Sequence, residues 1–356
     1  MGHLKYIALW SVLIILGTGD GSAIAASHPE SGCTPIIFDT DMGNDIDDAL
    51  ALGLIHALQS RGECKLLAVT LSKDNTWAGP FVDVVNTFYG RGEIPIGVVR
   101  NGVTPEDGTY LRPTLETKNH NGQPAFAYDL KKGEDAPDAV TVLRQTLASQ
   151  ADQSVVMVQV GFSTNLTRLL KSKGDANSSL TGIELVKQKV RLLSIMAGAF
   201  CDINGKPHAE YNVVMDQNSS SYLFENWPGQ IVASGYEIGE AILYPAESIQ
   251  LDYRYVEQHP LRVAYELYLK FPYDRPTWDL TSVLYAIRPE RNYFGLSPAG
   301  QILVDPDDGV TQFIEKTDGK HRYLQVDDQQ CRRIGELFTH LCSQPPSNLR
   351  DAGISK

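Results

Sequence analysis

An α/β fold, a single large domain whose mainly parallel central sheet is flanked by helices on both faces, is predicted by three features of the sequence. Short apolar runs of strand length alternate with longer helix-like runs from Cys33 nearly to the C terminus. Polar clusters follow several of the strand-like runs, where open parallel sheets of the Rossmann-like kind place their ligands. No repeat, low-complexity tract or linker interrupts residues 26–356, so one domain accounts for all of them.

The elements follow in order. Residues 33–38 read as a short buried strand and 49–58 as a mostly buried helix, with Asp39 to Asp48 on the turn between them. A second strand over 65–71 ends in the polar turn Ser72-Lys73-Asp74-Asn75-Thr76-Trp77. A helix over 81–89 and a third strand over 94–99 come next. Residues 101–136 are rich in Gly, Pro and polar side chains and lack periodicity; they are expected to form a long loop or lid near the site, carrying Tyr110, His120 and Tyr128. The alternation resumes with a helix over 139–147, a strand over 154–160 ending in Gly161-Phe162-Ser163-Thr164-Asn165, and a helix over 166–171. A strand over 190–196 runs into a polar loop that reaches Asn212. Helices over 219–225, 261–270 and 280–287, and a strand over 230–234, complete the main pattern. Two short extra strands, 301–304 and 323–326, and a final helix, 331–342, end the chain.

Composition bounds the function. The N terminus has Lys5, an apolar run over 7–16 and the small-residue segment Ala23-Ile24-Ala25-Ala26, the pattern of a signal peptide over residues 1–25. Residues 26–356 are therefore expected to be exported, to a periplasm or the medium, with no membrane attachment after cleavage. A net charge of −12 argues against a nucleic-acid partner, which requires a basic face. The five cysteines form no C-x-x-C pair. Cys33 and Cys64 each precede a predicted strand and would face each other if those strands are neighbours, whereas Cys331 and Cys342 lie too far apart on one helix to bridge.

The turn Asp39-Thr40-Asp41-Met42-Gly43-Asn44-Asp45-Ile46-Asp47-Asp48 holds five carboxylates in ten residues. A helix N terminus favours one or two acids, but five repel one another unless a cation sits among them. Gly is missing from the sixth position that an EF-hand loop requires, and a strand rather than a helix comes before. Hard oxygen donors at this density suit Ca²⁺ or Mg²⁺. Four polar clusters, at 39–48, 72–77, 161–165 and 200–212, each follow a strand and so converge on one edge of a parallel sheet.

These motifs resemble the inosine-uridine-preferring nucleoside hydrolase family over essentially all of residues 26–356. The acidic turn is similar to that family's D-x-D-x-G-x-D-D-A, two residues longer. Gly161 to Leu166 resembles G-P-L-T-N-L, and Met196 to Phe200 with Asn204 and Ala209-Glu210-Tyr211-Asn212 resembles M-G-G-x-x…N…A-E-x-N. Asp279 matches a late aspartate of the family. The resemblance implies Ca²⁺-dependent hydrolysis of the N-glycosidic bond of ribonucleosides. It also implies Ca²⁺ held by Asp41, Asp48, the Thr164 carbonyl and Asp279, Asp47 as the base acting on water, and Asn204, Glu210 and Asn212, with Asn75 as a further contact, on the ribose hydroxyls. Relatives are commonly homodimers or homotetramers. The chemistry fits the residue types: a carboxylate-rich pocket stabilises the oxocarbenium-like charge that develops on the sugar and also holds a cation.

Two features depart from the family pattern. Asp45 is surplus, and stands as an extra ligand, a partner of a ligand, or the true counterpart of one of the assigned carboxylates. The histidine that protonates the departing base in the inosine-uridine-preferring branch is replaced by Trp278, which resembles the purine-specific branch, where aromatic rings sandwich the base. Tyr211 stands where that branch also has an aromatic ring, and Trp77, Tyr110 or Tyr128 is open as a second stacking partner. His208 and His120 are the alternative acids. These features imply a preference for purine nucleosides. The alternative reading is an exported nucleoside- or calcium-binding protein that keeps the pocket without the chemistry. A phosphotransferase built on the D-x-D turn would need a better phosphate anchor than Lys73 alone.

Overall fold

The computed structural model describes residues 33–347 and 349; the leader expected over residues 1–25 lies outside them. Six strands form the parallel centre of the sheet: β1 (Thr34–Thr40), β2 (Cys64–Lys73), β3 (Ile96–Val103), β4 (Val155–Gln159), β5 (Val190–Met196) and β6 (Gln230–Ser234). Their spatial order is β6-β5-β4-β1-β2-β3, and every pairing among them is parallel. The chain starts at β1 in the middle, winds outward to β3, then crosses back to β4 and winds the other way. That reversal opens a crevice at the carboxyl ends of β1 and β4, the switch point at which doubly wound sheets bind ligands.

Helices cover both faces. In chain order they are α1 (Asp47–Ser60), α2 (Ala78–Phe88), α3 (Leu111–Leu115), α4 (Ala139–Ala148), α5 (Thr164–Lys171), α6 (Gly182–Lys189), α7 (Tyr211–Met215), α8 (Gln217–Asn226), α9 (Tyr236–Glu240), α10 (Ala246–Leu251), α11 (Pro260–Tyr268), α12 (Trp278–Ile287) and α13 (Asp328–Cys342). Alternate strand residues feed two separate cores. Ile36, Phe38, Val156 and Val158 pack with α1, α12 and α13, while Ile37, Val155 and Met157 pack with α4, α5, α6 and α8. The first core lies under the acidic turn, since α1 and α12 both begin at the crevice and pack against each other.

Beyond β6 the sheet continues through β9 (Gly295–Leu296), β10 (Gly300–Val304), β11 (Thr311–Glu315) and β12 (His321–Gln325), with β12 parallel to β6 and β10 antiparallel to both β11 and β12. A separate antiparallel pair joins β7 (Leu243–Tyr244) to β8 (Arg275–Pro276). The two extra strands expected near the C terminus are present. The pattern had not indicated β11, a largely exposed edge strand, or α6, although Thr181 and Glu184 form a capping box at its start.

Of residues 101–136, those beyond β3 form the loop expected near the site, with Glu106 and Gly108 in the cavity lining, and several side chains tie it to the body of the fold. Asn75 Nδ2 donates to the carbonyls of Pro105 (3.0 Å) and Glu106 (3.2 Å), and Asp83 accepts the amides of Asp129 and Leu130. The fully buried Tyr110 donates its hydroxyl to the Asp45 carbonyl at 2.7 Å. The cysteines form no disulfide among the described residues. β1 and β2 are neighbours and Thr34 is in register with Cys64, but the Cys64 thiol turns into the core and donates to the Ile55 carbonyl, while Cys33 is exposed.

Leu280 is fully buried on α12 next to the acidic floor. Leu280→Ala is expected to lower the unfolding free energy by about 2–5 kcal/mol, read from the midpoint shift in a denaturant titration.

Candidate active site

The carboxyl end of β1 carries the acidic turn into the crevice, and α1 starts inside it, so Asp47 and Asp48 occupy the first turn of a helix whose positive end favours them. Asp279 lies in the first turn of α12, and its amide donates to Asp47 Oδ2 at 3.1 Å. The side-chain oxygens of Asp47, Asp48 and Asp279 lie within 4.8 Å of one another, and all three residues are buried. Burial, then repulsion from neighbouring carboxylates, pushes all three well above the usual carboxylate range. Thr40 Oγ1 donates to Asp48.

Asp41 lines the same cavity and is pushed up to about 6, mainly by burial. Asn44 Nδ2 reaches Asp41 Oδ2 at 2.7 Å, and the buried Lys73 ammonium donates to Asn44 Oδ1 at 2.7 Å. A positive charge behind the turn is thus relayed to one carboxylate through an amide. Asp39 sits deeper. It accepts from Thr70 and Asn165, is pushed up to about 7 by burial, and does not line the cavity.

Close backbone approach joins the second motif to the first. A Cβ on Gly161 would fall 2.4 Å from the Asp41 amide nitrogen and 2.6 Å from Ser72 Oγ, so only glycine lets the turn after β4 lie against the turn after β1. Ser72 Oγ in turn accepts the Phe162 amide at 3.1 Å. Thr164 is buried at the start of α5, its hydroxyl donating to Asp216.

The third motif supplies the neutral polar wall. Glu210 caps α7: its carboxylate accepts the amides of Asn212 (2.7 Å), Gly198 (3.0 Å) and Val213 (3.2 Å), and burial still pushes it up to about 7. Asn212 Nδ2 donates to the Val160 and Met196 carbonyls, which fixes the amide across the ends of β4 and β5. Both residues line the cavity, as do Tyr211, Tyr236, Trp278 and Arg275. Trp278 Nε1 donates to the Tyr236 carbonyl at 2.8 Å, and the two rings lie 5.3 Å apart with a 34° tilt. The cavity measures about 480 Å³, enough for a nucleoside.

The structure does not bring every expected residue to the cavity. Asn75 does not line it; its side chain holds the 105–107 loop, from which Glu106 reaches the rim. Asn204 is exposed on a tight turn with φ of 52°. His208 packs on Tyr236 with centroids 4.2 Å apart but does not line the cavity, and His120 is exposed and pairs with Glu257 at 3.2 Å. Of the stacking candidates, Trp77 lies under Arg112 away from the cavity and Tyr110 is core.

Asp45 lines the cavity and pairs with Arg275, whose Nε donates to its Oδ1 at 2.9 Å and whose Nη2 donates to its Oδ2. Sequence reasoning missed both Arg275 and Tyr236. Arg275 comes from the two-residue strand β8 and lies 230 positions from Asp45, with no periodicity to flag it.

The donor set fits a hard divalent cation. Three buried carboxylates within ligand range of one another, with Asp41 beside them, provide oxygen atoms only. Their mutual repulsion is a cost that such a cation removes.

A family model described as inosine-uridine preferring nucleoside hydrolase matches residues 36–346. The pyrimidine-specific ribonucleoside hydrolase RihA of Shewanella sp. (strain MR-4) is 28% identical over 203 residues, 54% of this chain and 56% of its own length. The chain thus spans about half the length of the curated relatives it matches. Two solved structures share the fold. The plant nucleoside hydrolase PpNRh1 has a TM-score of 0.63 at 21% identity, covering 88% of this chain and 99% of its own. The purine-preferring ribonucleoside hydrolase from Gardnerella vaginalis has a TM-score of 0.66 at 18% identity, covering 87% and 98%.

A carboxyl whose folded pKa is raised stabilises the fold fully below its unfolded value and loses that contribution as pH rises through the folded value. For Asp41 this window runs from 3.8 to about 6. In chelator, the acidic cluster therefore destabilises the protein more at pH 8 than at pH 4. Added Ca²⁺ is expected to raise Tm at both pH 8 and pH 5, with the larger increment at pH 8; equal increments in scanning calorimetry would contradict the assignment of the cluster as the binding site.

Proposed function

Because the chain belongs to the inosine-uridine-preferring nucleoside hydrolase family, we propose that it hydrolyses the N-glycosidic bond of ribonucleosides, with Ca²⁺ in the acidic crevice and purine nucleosides favoured. The observation that carries this reading is the buried trio Asp47, Asp48 and Asp279 in one cavity with Glu210 and Asn212. A divalent cation there supplies Lewis acidity toward water and the vicinal ribose hydroxyls.

Asp48 and Asp279, with the Thr164 carbonyl, are the residues that would hold the cation. The grouping of Asp47 with them argues for Asp47 as the third carboxylate ligand. Asp41, which lines the same cavity beside the trio, then takes the proton from the attacking water, so ligand and base exchange places relative to the sequence expectation. Glu210 and Asn212 orient the ribose hydroxyls. The remaining carboxylates stabilise positive charge on the sugar as the bond to the base breaks. Purine preference rests on Trp278 and Tyr236, whose rings offer a stacking surface wide enough for a two-ring base.

One observation favours the alternative, a binding protein without chemistry: among the described residues no histidine lines the cavity to protonate a leaving base. A reducing-sugar assay over inosine, adenosine, guanosine, uridine and cytidine separates the two readings, since binding without ribose release would sink the hydrolase. Ribose release is expected to stop with chelator and return with Ca²⁺. Asp41→Asn is expected to lower kcat by about 100- to 10,000-fold while retaining the cation, and Asp48→Asn to lose the cation itself. Retained cation with lost turnover in Asp47→Asn instead would restore Asp47 as the base. Deoxyribonucleosides are expected to be at least about 100-fold poorer, because they leave buried polar groups unpaired.

Export through residues 1–25 and assembly as a dimer or tetramer belong to the same proposal. The first rests on the sequence pattern of the leader and the second on family resemblance. N-terminal sequencing of protein recovered outside the cytoplasm is expected to begin at or just after Ala26, and a full-length chain there would refute cleavage.

A further inference from the structure

Among the described residues, seven carboxylates and a single guanidinium line the cavity. That guanidinium, Arg275, makes no hydrogen bond to the acidic trio among the described residues. Asp45 fixes its Nε and Nη2, Nη2 also reaches the Tyr268 hydroxyl at 3.4 Å, and the carbon of the guanidinium lies 5.1 Å from the Trp278 ring centroid and 5.3 Å from that of Tyr268. The fork is thus clamped on one side by a carboxylate and stacked by aromatic rings, while its Nη1 makes no hydrogen bond among the described residues. Nη1 is thus a donor held in a fixed orientation beside an aromatic ring, and that orientation is set by Asp45, the surplus residue of the acidic turn.

Resting on the ribonucleoside-hydrolase reading, we propose that Arg275, positioned by Asp45, reads the base and selects 6-oxopurine nucleosides, inosine and guanosine, over adenosine. A base lying against Trp278 brings its edge beside the guanidinium. The 6-oxopurine edge presents two adjacent acceptors, O6 and N7, to the N–H groups of Nη1. Adenine presents an acceptor and an amino donor there, and the donor opposes the fork. Pyrimidines lack N7 and offer at most one of the two contacts. A phosphorylated substrate is disfavoured because the other lining charges are all carboxylates and Arg275 is already paired.

The same contact assists bond cleavage. When the C1′–N9 bond breaks, its electron pair moves onto the base. Water adds its oxygen to C1′, its proton passes through the base carboxylate to solvent, and the departing purine takes a proton from solvent. Negative charge spread over O6 and N7 meets the guanidinium while it develops, so the arginine supplies electrostatically part of what a histidine acid would supply by proton transfer.

The test compares kcat/KM of the full chain with Ca²⁺ for inosine, guanosine, adenosine, uridine, inosine 5′-monophosphate and p-nitrophenyl β-D-ribofuranoside. The last carries the same sugar and an activated leaving group without the purine edge. Wild type is expected to prefer inosine and guanosine and to use the monophosphate poorly. Arg275→Ala is expected to lose about 10- to 100-fold on those two nucleosides, with a loss at least about tenfold smaller on adenosine and on the p-nitrophenyl riboside. Arg275→Lys keeps the charge without the fork and should retain the selectivity loss. Asp45→Asn, which frees the fork without removing it, should fall between wild type and Arg275→Ala in the inosine-to-adenosine ratio. If Arg275→Ala folds poorly, the Lys and Asn variants carry the same comparison.

A uniform loss on every substrate, the p-nitrophenyl riboside included, would make Arg275 structural and overturn the proposal. So would a wild type that prefers adenosine, uridine or the monophosphate while cleaving the p-nitrophenyl riboside, and the hydrolase reading would then survive. A wild type that cleaves neither nucleoside nor riboside overturns the hydrolase reading itself.

Discussion

Like charges buried side by side are the constraint around which this fold is built. Asp41, Asp47, Asp48 and Asp279 are all buried, and each is pushed toward its protonated form by lost hydration and by its neighbours. Within the trio only the Asp279 amide, donating to Asp47, opposes the repulsion between the carboxylates, so the scaffold must hold them. Three come from one turn whose ends are anchored by β1 and α1, and the fourth rides on α12, which packs along α1. The apolar contact between two helices sets the distance between carboxylates that would otherwise separate. Both helices also point their positive ends at the cluster, which lowers the cost without cancelling it. A scaffold of this kind holds hard oxygen donors in place before a cation arrives.

The protein's own cations are placed so that they do not fill that role. Lys73 is buried behind the turn, where it donates to Asn44 and pairs with Glu106 at 3.8 Å, and Arg275 is engaged by Asp45 at the edge. Had either ammonium or guanidinium entered the trio, the carboxylates would have been neutralised and the site closed to a metal. Each instead pairs with a carboxylate on the flank and makes no hydrogen bond to the trio among the described residues. Glu210 follows a similar logic by other means. Three backbone amides stabilise its carboxylate, yet four lone-pair positions leave room for a sugar hydroxyl.

What could be read from the sequence was whatever is encoded locally. Strand and helix runs alternate at their own periods, so the six parallel strands, α1 and α12 are recoverable from pattern, with ends shifted by a few residues. The convergence of the acidic turn, Gly161–Asn165 and Glu210–Asn212 follows once those strands are parallel, because their carboxyl ends share an edge. Position along an edge does not settle which way a side chain turns, and there the reading fails. Asn75 and Asn204 follow the right strands, yet one ties down a loop and the other sits on an exposed turn. The ties that hold residues 104–136 are hidden because the anchors, Asn75, Asp83 and Tyr110, are single side chains spread along the chain. Arg275 and Tyr236 were invisible for the same reason. Each stands on a very short element whose placement depends on packing between segments remote in sequence.

The surplus residue of the acidic turn explains how the base end of the pocket can differ with less disturbance of the metal end. Adding a lone arginine near the trio would draw the carboxylates toward it and compete with a divalent ion. Adding a lone aspartate would deepen the repulsion already present. Introduced together, Asp45 and Arg275 form a pair in which the arginine offsets at Asp47 part of the repulsion that the surplus aspartate adds, while the guanidinium keeps directional donors to spare. Half-buried pairs gain little stability in themselves, so the physical return on this one lies in orientation. It gives a fixed donor, Nη1, beside Trp278 and close to the acidic trio.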